Sequence, residues 1–437
     1  MDLSGVWNVE LLGEGKFVKK KGTVNIPGTV QEQGYGREIT KDTEWVSGLH
    51  NTFWYERSEY SYAQENGTNV PFLAQPPYVF TGLARYQRKV SIKEQGEYFL
   101  FIELTRWKVK AYVDGVPKGE IVSLVAPFEF NLGKLDVGEH IITVEADTSM
   151  QYPYRPDGHG VSDALGASWN GMGGEVSLLT RAEYEKKAAD RKKYAAKHKR
   201  EIRVEDGKFF VDGEPTYFRG THYGGDHPLT ALPDTTGEYW KKMLRTIKKY
   251  GFNFVRCHSY CPPDAMFAAA DEEDVYILVE CDMWNVFNDG IEMNDVLKTE
   301  TERILKAFGH HPSFVLFSPS NEPGGGWHNV LREWVSFARE TDRKLGYEHR
   351  RLYTAQSGWH YDTTPQETTG TDFLYLHKTN FGELGGGIVR GPQGWNGKDY
   401  NSSIEGAKIP CMCHELGQWC VYPDFSVIDK FKGYLDP

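Results

Sequence analysis

The chain has 437 residues, a formal net charge of −11, 39% hydrophobic and 25% charged residues. That length gives room for two or three domains with well-buried cores, and no apolar run approaches the roughly 20 residues that a membrane-spanning helix needs. The acidic balance repels nucleic-acid phosphates, and the richest basic stretch carries no interleaved aromatic platform, so neither nucleic acid nor a membrane span is expected. Aromatic residues make up 14%, with 12 Trp and 25 Tyr, and their flat apolar faces suit the C–H surfaces of sugars as well as core packing. The six cysteines, Cys257, Cys261, Cys281, Cys411, Cys413 and Cys420, match neither a zinc spacing nor a disulfide framework and read as small buried hydrophobes.

The opening residues, MDLSGVWNVE, show neither the basic nor the apolar segment of a secretory signal. The compartment stays open between the cytoplasm and, for a longer natural N-terminus, the periplasm or exterior. From Gly5 to about Thr180, short alternating segments such as ARYQRKVSI, GEYFLFIEL, KVKAYVDGVPKGEIVS and GEHIITVEAD stand between turn signals, a spacing that predicts an antiparallel β-sandwich. Asp114-Gly115 fits a tight hairpin between two of these strands, because glycine tolerates positive φ. The segment 181–200, RAEYEKKAADRKKYAAKHKR, lacks Gly and Pro and is dense in strong helix formers, which predicts a helical linker with a solvated charged face.

From about Ile202 onward the texture changes to apolar runs alternating with helix-period segments. The strand candidates are TYFRGTHY, FNFVRCHSY, VYILVECDMW, SFVLFSPSNE, RLYTAQSGW, DFLYLHKT and IPCMCHELGQW. TTGEYWKKMLRTIKKYG, PPDAMFAAADEED, NDVLKTETERILKAFG and HNVLREWVSFARETDRKLG read as helices, with Pro262 and Pro263 at a first turn and Gly at several ends. Strand-helix repetition predicts a parallel sheet with its helices outside. Each apolar run ends in polar or ionisable residues: Arg219 and His222, Arg256 and His258, Glu280 and Asp282, Asn321 and Glu322, Gln356 and Trp359, His377, and Glu415. In a (β/α)8 barrel such C-terminal strand ends ring the mouth where active sites are built. A complete barrel has eight strands and seven are legible, so either one carries no recognisable pattern or the barrel lacks its last strand.

Glu322 ends the fourth strand candidate and Glu415 the seventh, positions from which two side chains converge over a barrel mouth. A carboxylate pair flanking a glycosidic bond divides the work of hydrolysis, one donating a proton while the other attacks the anomeric carbon. The bland reading of Glu322, between an amide and a proline, is a helix cap. A metal-dependent hydrolase is the rival enzyme, since His222, Asp226, His227, His258, Glu280 and Asp282 lie near strand ends. Two ligands on one strand should alternate as H-x-H, and no such pair occurs.

With these residues in view, the chain resembles the family 2 glycoside hydrolases, retaining β-glycosidases on (β/α)8 barrels. HPSFVLFSPSNEP is similar to that family's acid/base strand, CHELGQW to its nucleophile strand, and YFRGTHYGGDHPL and GFNFVRCHSYCPPDAMFAAADEEDVYILVE to its first three barrel strands. LSGVWNVE, VNIPGTV, AYVDGV and PFEFNLGKLDVGEHIITVEAD resemble its jelly-roll-like sugar-binding domain. The resemblance implies a retaining double displacement on a β-linked carbohydrate, with Glu322 as acid/base, Glu415 as nucleophile and no cofactor. It further implies Arg256 holding Glu415 in its charged form, Asn321 on the sugar's 2-hydroxyl, and Trp419 and Trp284 stacked on sugar faces. His258, His377, His222 and Asp226 are expected sugar contacts, His222 at the end of the first strand and Asp226 in the loop after it.

The sequence departs from the family in having His222 and Gly224 where many relatives have Asn and His shortly after Arg-Gly, and a helix where relatives carry an immunoglobulin-like domain. The expected division is a sandwich over 1–180, a helical linker over 181–200 and a catalytic barrel over 201–437. The alternative is a non-catalytic carbohydrate-binding relative, or an inactive fragment of such an enzyme. The sugar, its linkage and the oligomeric state are not legible.

Overall fold

Alternation of side chains works first at the N-terminal end. Trp107–Val113 buries every second residue strictly, and Gly5–Leu12 and Phe128–Leu135 bury a similar stripe. Such strands have one wet and one dry face, so they pair into sheets that must cover each other. The computed structural model describes residues 1–13, 15–38, 78–155, 158–162, 169–225, 227, 230, 232–358, 370–376, 407–414 and 424–426.

Within it, a six-stranded antiparallel sheet runs in the order Lys21–Ile26, Gly5–Leu12, Leu83–Ile92, Gly138–Asp147, Trp107–Val113, Val116–Ser123. A four-stranded sheet runs Phe128–Leu135, Gly96–Leu104, Gly171–Thr180, Gly28–Thr29. Trp7, Tyr86, Val109 and Val144 of the first sheet share one core with Leu100, Ile102, Phe128 and Val176 of the second. The hairpin at Asp114-Gly115 forms with both residues at positive φ, 52° and 80°, the geometry that matches the strand twist.

The linker sequence is a helix over Arg181–Lys197, opened by a reciprocal capping box between Thr180 and Glu183. Its mostly polar surface is tied down at particular points: Tyr184 stacks on Phe99 at 4.2 Å, and the Tyr194 hydroxyl donates to Asp271 at 2.9 Å.

Beyond the linker, Ile202–Glu205, Lys208–Val211 and Glu214–Thr216 form a small antiparallel sheet. Its Ile202, Phe209 and Val211 pack on Phe254, Leu278, Leu316 and Phe373, closing the floor of the barrel. The candidate strand TYFRGTHY therefore divides. Its first residue ends this floor sheet, and only Gly220–Tyr223 enters the barrel, while the Asn253 side chain holds the kink by donating to Tyr217 O and accepting from Arg219 N. Arg219 consequently lies at the floor end, opposite the expected mouth.

Five parallel strands follow in chain order: Gly220–Tyr223, Phe254–Cys257, Tyr276–Glu280, Phe314–Ser318 and Leu352–Tyr353. Thr354 N and Ser357 N continue the ladder onto Phe317 O and Ser320 O, so the segment 352–358 acts as one strand. Ser357–Gly358 pairs with Leu374–Leu376, which pairs with Cys411–Cys413. Seven parallel barrel strands thus lie among the described residues. Helices Glu238–Lys249, Asp264–Glu273, Glu292–Phe308 and Trp327–Leu345 pack outside. Cys257, Cys261 and Cys281 are fully buried thiols; Cys411 and Cys413 are only partly covered, and Cys420 lies outside the described residues.

The sandwich and barrel share a core in which Trp107, Leu124, Val125 and Tyr154 join Tyr260, Met283 and Phe287. The buried Glu300 carboxylate fixes the joint by accepting from Ser123 Oγ (2.8 Å), Leu124 N (3.1 Å) and Val125 N (3.2 Å).

Candidate active site

Parallel strands deliver all their C-terminal ends to one mouth, and Arg256 is the side chain that ties those ends together. Fully buried on the second barrel strand, its guanidinium donates to Glu280 Oε1 at 2.7 Å and to Asn321 Oδ1 at 2.6 Å, and lies 3.0 Å from His414 Nδ1. One planar fork thereby joins the second, third, fourth and seventh strands, a use that suits arginine's fixed donor geometry. Burial pushes the Glu280 carboxyl upward, but the Arg256 charge, His258 and the Ser259 N–H outweigh it and hold Glu280 below the usual carboxylate range. Asp282, two residues on, behaves oppositely: burial drives it well above that range despite Arg106 and the Cys261 N–H, which donates to it at 2.8 Å.

Glu322 is half-buried and sits at φ 30°, a left-handed conformation unusual for glutamate. Its N–H donates to Ser357 O at 2.6 Å, and Asn321 bridges Ser357 in parallel, so the Asn-Glu step is held from the neighbouring strand. Glu322 is not the cap of the helix Trp327–Leu345. That helix begins after Gly326, without a side-chain cap. Gly358 faces the glutamate so closely that a Cβ there would stand 2.5 Å from Glu322 Cγ.

An aromatic and imidazole wall borders this cluster. His258 stacks on His159 at 4.1 Å, lies 5.4 Å from the His222 ring, and meets Trp284 edge-on at 6.3 Å. Arg155 covers the Trp284 ring at 3.9 Å. Burial, followed by the neighbouring His258, drives His159 well below the ordinary histidine value, so it stands neutral. His159 and Arg155 come from the sandwich half, a contribution that sequence reading missed because 152–162 is a turn-rich segment with no period. Glu280 was visible as a strand-end residue but carried no signal separating it from structural polar groups, and His414, inside the CHELGQW run, was not singled out.

Of the expected site residues, the structure brings together Arg256, Asn321, Glu322, His258, Trp284 and the exposed His222. His227 instead packs against Trp240 and accepts or donates with Tyr223 Oη at 2.9 Å, its burial lowering it to about 4. Asp226, Trp359, His377, Glu415 and Trp419 lie outside the described residues.

A barrel whose mouth concentrates carboxylates, an arginine, amide and aromatic groups has the outline of a carbohydrate-processing site. Residues 202–357 match the family model "Glycosyl hydrolases family 2, TIM barrel domain", so this segment is similar to the barrel domain of that family. Over 179 residues it is 24% identical to a β-galactosidase of Staphylococcus xylosus, a match covering 37% of this chain and 18% of that protein. Its fold is similar to that of a family 2 β-galacturonidase from Eisenbergiella tayi bound to galacturonate, with a TM-score of 0.60, 14% identity, and coverage of 97% of this chain and 82% of that one. A Bifidobacterium dentium β-glucuronidase complexed with coumarin-3-O-glucuronide gives a TM-score of 0.57 at 14% identity, covering 86% and 77%.

Proposed function

We propose that the chain hydrolyses β-linked glycosides with net retention, Glu322 acting as acid/base and Glu415 as nucleophile, in a barrel spanning 201–437 behind a sugar-binding-like sandwich of 1–180 and the linker of 181–200. The observation that carries this reading is the reach of Arg256: Asn321 and His414, the residues preceding the two glutamates, are held by the same guanidinium. Glu322 protonates the departing oxygen while Glu415 attacks the anomeric carbon. The covalent glycosyl-enzyme is then released by water that Glu322, now a base, activates. Because Asn321 Oδ1 is occupied by Arg256, its amide nitrogen is the group left to donate to the sugar's 2-hydroxyl. Trp284 and Trp419 supply apolar faces, with His222, His258, His377 and Asp226 as further sugar contacts.

The likenesses in fold to uronidases and in sequence to a β-galactosidase make uronides and galactosides the first substrates to try. The test is a panel of aryl β-galactosides, β-glucuronides, β-galacturonides, β-glucosides and β-mannosides with the parent chain, Glu415→Gln and Glu322→Gln. Turnover of at least one glycoside is expected, abolished in Glu415→Gln and reduced about 10²–10⁴-fold in Glu322→Gln, least for the most acidic aryl leaving group, which needs the least proton assistance. Unchanged rates in Glu415→Gln reject the assignment, and sugar binding without turnover in the parent chain identifies a carbohydrate-binding protein instead.

A further inference from the structure

A second cluster of chemistry-bearing side chains lies at the other end of the barrel. His310 and His311 immediately precede the fourth strand, Phe314–Ser318, whereas Asn321 and Glu322 follow it, so a five-residue strand, about 16 Å long, separates the cluster from the mouth. One ring nitrogen of His310, one of His311 and a carboxylate oxygen of Asp264 all lie within 4.8 Å of one another. His311 Nε2 is 3.2 Å from Asp264 Oδ1, close to the edge of a tetrahedron with metal–ligand bonds of about 2.0–2.1 Å. The other nitrogen of His311 lies 2.6 Å from Asp271 Oδ2, and Asp271 is fixed in turn by the Ser313 N–H and the Tyr194 hydroxyl, each at 2.9 Å. A carboxylate behind an imidazole in this way sets the tautomer and orientation of a metal-binding histidine.

The second observation concerns His310. It is 7% exposed, and its Nδ1 is buried without a hydrogen-bond partner. Leaving a buried polar nitrogen unmatched costs roughly 1–3 kcal/mol, a penalty that an ion held at His310 Nδ1 would remove. Asp264, by contrast, keeps 47% of its side chain exposed, which gives an ion a route in.

We propose that Asp264, His310 and His311 form a binding site for one zinc-class divalent ion, with Asp271 orienting His311. Two imidazoles and one carboxylate suit Zn²⁺ or Co²⁺ over the oxygen-seeking Mg²⁺ and Ca²⁺, and leave a position for water. The site's place indicates a bracing role. Arg350 donates to Ala195 O, His198 O and His310 O, so the end of the linker helix and the barrel floor meet beside the ion.

The experiment is titration of the chelator-treated full chain with Zn²⁺ by calorimetry and with Co²⁺ by its visible d–d absorption, followed by thermal unfolding with and without Zn²⁺. The parent chain is expected to take up one equivalent and to melt higher when loaded. His310→Gln and Asp264→Asn are each expected to weaken that uptake at least tenfold and to abolish the rise in melting temperature, with far-UV dichroism unchanged. Asp264→Asn is nearly isosteric at a half-exposed position, so one well-folded variant is secured. Absence of saturable one-equivalent uptake overturns the proposal. So does parental affinity in both variants, which would put the ion on others of the 14 histidines.

Discussion

At the scale of single residues, the site is organised by buried charges whose ordinary ionisation has been pushed in opposite directions. Glu280 stays charged because Arg256 and the Ser259 N–H meet both its oxygens, whereas Asp282 is driven toward its neutral form by burial. The same contest occurs in the sandwich. Burial raises Glu103 to about 7, against the opposing pull of the Glu175 N–H, which donates to it at 2.7 Å. A folded-state value above the unfolded one means that the native state binds this proton more tightly. The associated stability is therefore present below about pH 4.5 and is lost as pH rises through about 7. Glu103→Gln keeps an acceptor for the Glu175 N–H without the charge. Its melting temperature relative to the parent chain is expected to climb between pH 5 and pH 8, and a difference that does not vary with pH would contradict this account of Glu103.

At the scale of elements, the position of Glu322 depends on the fit between the fourth strand and the segment 352–358. Gly358 sits at φ 125°, where a side chain is strained, and its missing Cβ makes room for the glutamate. Gly358→Ala is expected to cut kcat/KM on the best aryl glycoside about 10²-fold, the order of loss that a misplacement near 1 Å produces. Gly346→Ala serves as the control, since Gly346 also has a positive φ, 83°, but nothing within 4 Å of its Cβ position. It should lose stability and keep activity; equal activity losses in the two variants would refute the spatial role of Gly358.

The elements also show what a sequence reader can and cannot see. The helices at 181–197, 238–249, 264–273, 292–308 and 327–345 declare themselves by residue type and period, with a side-chain cap only at Thr180, and the parallel strands by buried runs such as FVLFS, in which every residue is covered. Hidden was the division of TYFRGTHY, because its kink is imposed by the side chain of Asn253, 30 or more residues away.

At the scale of the whole molecule, the mouth is built by both halves of the chain. Asn321, Glu322 and Arg256 were readable because strand ends collect functional groups whatever the loops do. His159 and Arg155 were not, because their role arises only when the sandwich docks and these two side chains reach the wall around His258 and Trp284. The Glu300 carboxylate, sunk against Ser123, Leu124 and Val125, keeps that docking in register. A site shared in this way is the reason that composition and periodicity locate the barrel yet leave its sugar unnamed.

The measurement that bears most directly on the central claim is covalent trapping of the nucleophile. The intact chain is incubated with 2-deoxy-2-fluoro-β-glycosides of the sugar types it turns over, then digested and mapped by mass spectrometry. The account predicts stoichiometric labelling of the peptide containing Glu415, at that residue, with activity lost in step. Labelling of a different carboxylate, or inversion at the anomeric carbon without any trapped intermediate, would contradict it.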